Sequence, residues 1–193
     1  KGHLMMVTGY IPVAETFGLA SEMRSATGGK AFWQCPKPRW ESLHAVQAIA
    51  ELTRQSDTLL AVDAITGIGV HPFRMDEWGV DIVVSGSQKG CMMPPGLAFI
   101  AVSPRTWQVV EACRSPRYYL DLRAMRKNWQ KQTTPFTAAV SLIRGLHTAL
   151  AMILDEGLDQ VHARHACLAE ATRAACAALG LKMVAEHPVN GVT

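Results

Sequence analysis

The chain has 193 residues, 49% of them hydrophobic and 18% charged, with a formal net charge of +3. That balance excludes a disordered polypeptide and describes one domain, or a small domain plus part of a larger one, built around an apolar core. The mild, scattered positive charge gives no case for DNA binding, and no apolar run is long enough to span a bilayer, which excludes a helical membrane protein.

In chain order, residues 4–12 read as a strand and 13–26 as a helix, with Phe17, Ala20 and Met23 on one stripe. Gly28-Gly29 makes a turn, and 30–35 a second strand. Pro36 and Pro38 then interrupt any regular element. A helix follows to about Gln55, with Leu43, Val46 and Ala50 along one side. Residues 58–62 and 80–84 are short, β-branched and apolar, the pattern of strands buried in a parallel sheet. Asp63 closes the first run, and SGSQKG, carrying Lys89, follows the second. Ligands of open α/β sheets sit outside the carboxyl ends of the strands, so this acid and this lysine are delivered to one edge. A third strand is expected over 97–102. Ser103 and Pro104 open the next helix as N-cap and first-turn proline. A polar loop with Tyr118 and Tyr119 leads to QTTP. Two long helices are expected over 137–155 and 158–179, stopped by Gly157 and Gly180. Residues 181–185 read as the first strand of a further domain.

The histidines carry little. His162 and His165, three apart on the second long helix, read as a solvated face without a third ligand, and no metal site is expected. The cysteines Cys35, Cys91, Cys113, Cys167 and Cys176 are odd in number and contain no CxxC pair. They read as reduced, largely buried thiols of a cytoplasmic protein.

VDAITGIG, GVDIVVSGSQKG and PPGLAFIAVS together resemble class V of the pyridoxal-phosphate (PLP) enzymes, within it the alanine–glyoxylate and serine–pyruvate aminotransferases. The likeness continues through YYLDL, QTTPFTAAVSL and EGLDQVHARHACLAEATRAACAALGL, over about residues 43–193. YIPVAETFGLASEMRSATGGKAFWQC instead resembles half of the ferredoxin-like C-terminal domain of elongation factors G and 2. The expected organisation is therefore an elongation-factor-like fragment at 1–41, a partial aminotransferase large domain at 42–180, and the truncated start of a small domain at 181–193. Two families cut mid-domain and joined near Trp40 point to a fusion, a misassembled gene or a chimera. The fold class is α/β, a mainly parallel sheet with flanking helices, preceded by a ferredoxin-like βαβ fragment.

The aminotransferase resemblance implies roles residue by residue. Lys89 matches the lysine that forms the Schiff base with PLP and shuttles the proton. Asp63 matches the carboxylate that keeps the pyridine nitrogen protonated; its alternative is a turn cap at a strand end. Ile65 matches the residue packed on the cofactor ring, and Gln88 the one reaching its phosphate. Thr133 matches a threonine contacting the phosphate of a partner subunit's cofactor, which implies a homodimer; alone it would be an N-cap. Tyr118 and Tyr119 line the pocket or anchor their loop. The implied reaction moves an amino group between a small amino acid, alanine or serine, and a 2-oxo acid, glyoxylate or pyruvate. The family's upstream phosphate turn and C-terminal carboxylate-clamping arginine fall outside the match, so weak PLP binding and impaired catalysis are expected. A related class V lyase or desulfurase is the neighbouring reading, although no cysteine has a recognisable catalytic-loop context. If the N-terminal fragment governs, the chain is instead a non-enzymatic ribosome-binding module, or an inactive chimera.

Overall fold

A three-stranded sheet organises the chain, whose computed structural model describes residues 43–185 and 188–191. The expected βαβ fragment at 1–41 lies outside the described residues. The first described helix, α1 (Leu43–Arg54), lays Val46 and the fully buried Ala50 on the core. Strand β1 (Ala61–Asp63) runs parallel to β2 (Ile82–Gly86), Ala61 facing Ile82 and Asp63 facing Val84. Between them α2 (Met75–Trp78) stops at Gly79, whose φ of 75° lets its N–H turn back onto the carbonyls of Met75 and Asp76.

Strand β3 (Ala98–Val102) pairs antiparallel with β2, Ile82 opposite Val102 and Gly86 opposite Ala98. The α/β class is as expected, and the sheet is mixed. Only β2, the central strand, is buried along nearly its whole length; β1 and β3 are half-exposed. The expectation that the 58–62 run is covered on both faces is corrected accordingly.

Ala50, Ala64, Val80 and Val83 form the buried cluster, with Leu60, Val62, Ile68, Phe73 and Trp78 packed around it. Phe73 and Trp78 meet edge-on at 5.1 Å. Burying a valine fully stabilises by about 1.5–3 kcal/mol, against about 1 kcal/mol net for one hydrogen bond. Val80 and Val83 therefore fix β2 in place more than any single rung of its ladder.

β1 begins at Ala61 rather than at residue 58, and the cause is Asp81. Its buried carboxylate accepts from Leu60 N–H at 2.9 Å, so a side chain replaces the next rung. The carbonyls of Ser56 and Thr58 are taken by Arg105, at 3.0 and 2.7 Å. Arg105 also clasps Asp81 through Nε at 3.1 Å and a terminal nitrogen at 2.7 Å. Arg105 belongs to α3 (Pro104–Ala112), capped as expected by Ser103 Oγ accepting from Thr106 N–H at 3.2 Å.

The polar stretch after α3 is not all loop. α4 (Leu122–Trp129) forms there, with Asp121 Oδ1 accepting from Arg123 N–H at 3.0 Å. Then come α5 (Val140–Glu156) and α6 (Leu158–Ala178), meeting at Gly157 with φ 85°. Across that corner Arg164 holds Glu156 by two hydrogen bonds, at 2.7 and 2.8 Å. Residues 181–185 form no strand; Leu181 N–H instead closes α6 on Cys176 O at 2.9 Å.

Candidate active site

The parallel pairing of β1 and β2 sets the carboxyl ends of both strands on one edge of the sheet. Asp63 is the last residue of β1 and is exposed. Its Oδ1 accepts from Ile65 N–H at 3.0 Å, so the turn-capping role offered by the sequence is present. A carboxylate has a second oxygen, and capping leaves that one for another partner. Ile65 is half-buried beside it.

β2 runs to Gly86, two residues further than the apolar pattern indicates, because Ser85 and Gly86 pair with Phe99 and Ala98. The loop from Ser87 to Leu97 then carries Gln88 and Lys89, both exposed. Gln88 folds back over Gly86: a Cβ there would lie 2.7 Å from its Oε1. Lys89 O accepts from Met92 N–H at 2.8 Å, a turn in which Met92 takes φ 55°. Among the described residues no ion pair ties down the Lys89 ammonium.

The Asp63 and Lys89 loops touch through glycines. A Cβ on Gly90 would lie 2.2 Å from Ile68 O and 3.2 Å from the Cα of Gly69. Gly69 itself has φ 80°. Without side chains at this contact, the lysine loop seats directly on the turn that follows the carboxylate. Cys91, next in the chain, is buried, and burial pushes its thiol pKa up. Neither this contact nor the fully buried Ser87 figures among the residues singled out from the sequence; the recurrence of glycine in both loops was the only signal.

Thr133 stands elsewhere in the chain, exposed in the α4–α5 loop, with its N–H on Asn128 O at 3.0 Å. Phe136 of the same loop stacks at 4.7 Å on Tyr119 and lies 6.0 Å from Tyr118, so both tyrosines anchor loop to loop. His162 and His165 depart from the expected solvated face. Both are half-buried, and both stand near enough to His71 for their charge to add to the burial that lowers its pKa. His71 Nε2 accepts from Asn190 N–H at 3.2 Å. Among the described residues no group of three or more His, Cys, Asp or Glu is placed to hold a metal ion.

A carboxylate and an exposed lysine thus stand on adjacent loops at the carboxyl edge of an α/β sheet. Comparison with known proteins makes this specific. Residues 42–189 match the family model of class-V aminotransferases, and the chain belongs to that family. Its members depend on PLP, and the chemistry such a group needs, a primary amine and a carboxylate with a free oxygen, is present in exposed Lys89 and Asp63. The chain is 42% identical over 170 residues to the L-aspartate–glyoxylate aminotransferase of Paracoccus denitrificans, covering 88% of this chain and 40% of that one. It is 50% identical over 127 residues to the soluble hydrogenase small subunit of a Synechococcus strain, covering 66% and 33%. The crystal structure of alanine–glyoxylate aminotransferase from Nostoc superposes with a TM-score of 0.69 at 33% identity, over 73% of this chain and 38% of that one. The chain thus spans well under half the length of these relatives.

Proposed function

We propose that the chain carries the lysine half of an aminotransferase site, acting between a small amino acid, alanine or serine, and a 2-oxo acid, glyoxylate or pyruvate. The observation that carries this reading is the delivery of Asp63 and Lys89 to one edge by two hydrogen-bonded parallel strands. Relatives named for glyoxylate support the acceptor.

PLP, when bound, supplies a ring that accepts the electron pair left when the Cα–H bond of an amino acid breaks. Lys89 Nζ is the amine that holds the cofactor and the base that moves the Cα proton. With the cofactor bound, Asp63 would keep a proton on its ring nitrogen, Ile65 would pack on the ring, and Gln88 would hold the phosphate. Thr133 serves the partner subunit's site in a homodimer. A cytoplasmic location belongs to the same proposal. Among the described residues no helix is long and apolar enough to cross a membrane. A boundary near Trp40 is part of the proposal too; the family match begins at residue 42, whereas the match to the Paracoccus aminotransferase, at 88% of this chain, extends into the first 41 residues. The elongation-factor likeness of residues 1–41 rests on their sequence alone.

The test is glycine formation from glyoxylate by the PLP-supplemented chain, with alanine, serine or aspartate as donor. Slow glycine formation that disappears in Lys89→Ala is expected. Equal rates for the variant and the parent would refute the assignment.

A further inference from the structure

Ser87 is fully buried, yet it sits at the start of the exposed loop that presents Lys89. Every polar group it owns is spent on closing that loop. Its N–H donates to Leu97 O at 3.1 Å, and its carbonyl accepts from Met93 N–H at 3.1 Å. Its hydroxyl donates to Pro94 O at 2.7 Å and accepts from Leu97 N–H at 3.3 Å. Pro94 and Pro95 have no N–H of their own, so the far limb cannot be tied by ordinary ladder bonds through them. The hydroxyl supplies the missing tie.

We infer that Ser87 is the positioning residue of Lys89: its side chain locks the 87–97 loop in the arrangement that seats Gly90 on Ile68, and so fixes the stretch of loop that carries the lysine. This rests on the proposed role of Lys89 and goes beyond it, since Ser87 is fully buried with its polar groups bonded within the loop and would act only through that loop. Ser87→Ala keeps both backbone bonds and removes both side-chain bonds, leaving Pro94 O and Leu97 N–H without that partner. The loop then samples open arrangements in which Lys89 is displaced. An apparent affinity falls by the fraction of molecules in the competent state, so a tenfold loss of the closed form gives about a tenfold rise in half-saturation.

The experiment compares the parent chain, Ser87→Ala and Thr106→Val. Thr106 is also buried, and its hydroxyl bonds Asp81 O at 3.1 Å at the opposite end of β2, so its loss reports a general structural cost. Circular dichroism confirms that each variant is folded. Two readouts follow: amide exchange of Leu97 and Met93 without cofactor, and PLP titration by visible absorbance. Ser87→Ala is expected to speed Leu97 exchange and raise the PLP half-saturation, each by about tenfold, with Thr106→Val unchanged in both. Unaltered Leu97 exchange in Ser87→Ala overturns the inference, as does an equal PLP effect in Thr106→Val. If the parent binds no PLP, the proposed function fails by itself, and the loop lock is judged on exchange alone.

Discussion

Asp81→Asn is the perturbation whose cost the structure defines most fully. The Asp81 carboxylate, 5% exposed, accepts two bonds from Arg105, one from Ser103 Oγ at 3.1 Å and one from Leu60 N–H. Asparagine offers one acceptor oxygen and turns an NH2 toward donors. Breaking a buried pair costs about 3–5 kcal/mol, but the Arg105 side chain is 37% exposed and water recovers part of its loss. About 3 kcal/mol remains, equivalent to about 6–12 °C in Tm for a chain of this size. Burial raises the Asp81 pKa, but the bonds from Arg105, Leu60 N–H and Ser103, with the Arg105 charge, more than offset it, so the folded value lies below 3.8. A depressed folded pKa means stability that is present above the unfolded value and lost as pH falls through the folded one. Thermal unfolding by circular dichroism should therefore show the full gap at neutral pH and a closing gap as acid protonates Asp81. A Tm within about 3 °C of the parent at neutral pH, or a gap indifferent to pH, would refute the assigned role.

Two further predictions concern titrating groups. Bonds from the Ser115 hydroxyl and backbone, and from Arg117, lower the Cys113 pKa to about 7. Alkylation of Cys113, followed by peptide mapping, should thus rise with a midpoint near that pH, with Cys91 protected; a midpoint in the ordinary thiol range contradicts it. His71 is held below 6.5 by burial first, then by His162 and His165. Because its folded pKa is depressed, it stabilises above about 6.5 and loses that contribution as pH falls toward the folded value. His71→Asn should flatten the decline of Tm between pH 7 and about 5, and an unchanged slope would count against it.

Much of the site was legible because it is local. Asp63 ends an apolar run, and Lys89 follows another within a distinctive motif, so their placement on one edge needed only the parallel pairing of two strands. The direction of β3 was not legible, since a loop running from Ser87 to Leu97 can return a strand either way. Asp81 and Arg105 read as unremarkable charges because they meet only after β1, β2 and α3 assemble. α4 was missed because arginines and a lysine separate Leu122, Met125 and Trp129, and the cap at Asp121 carries its start. The histidine group had the same difficulty: His71 lies far in sequence from His162 and His165, and only the fold joins them.

The central claim is that Lys89 is the amine that takes the cofactor, and borohydride trapping tests it most directly. The full chain is incubated with PLP, reduced, digested and mapped by mass spectrometry. The account predicts a pyridoxyl label concentrated on the Lys89 peptide and lost in Lys89→Ala. A label shared evenly with Lys127, Lys131 and Lys182, and unchanged in the variant, would contradict it.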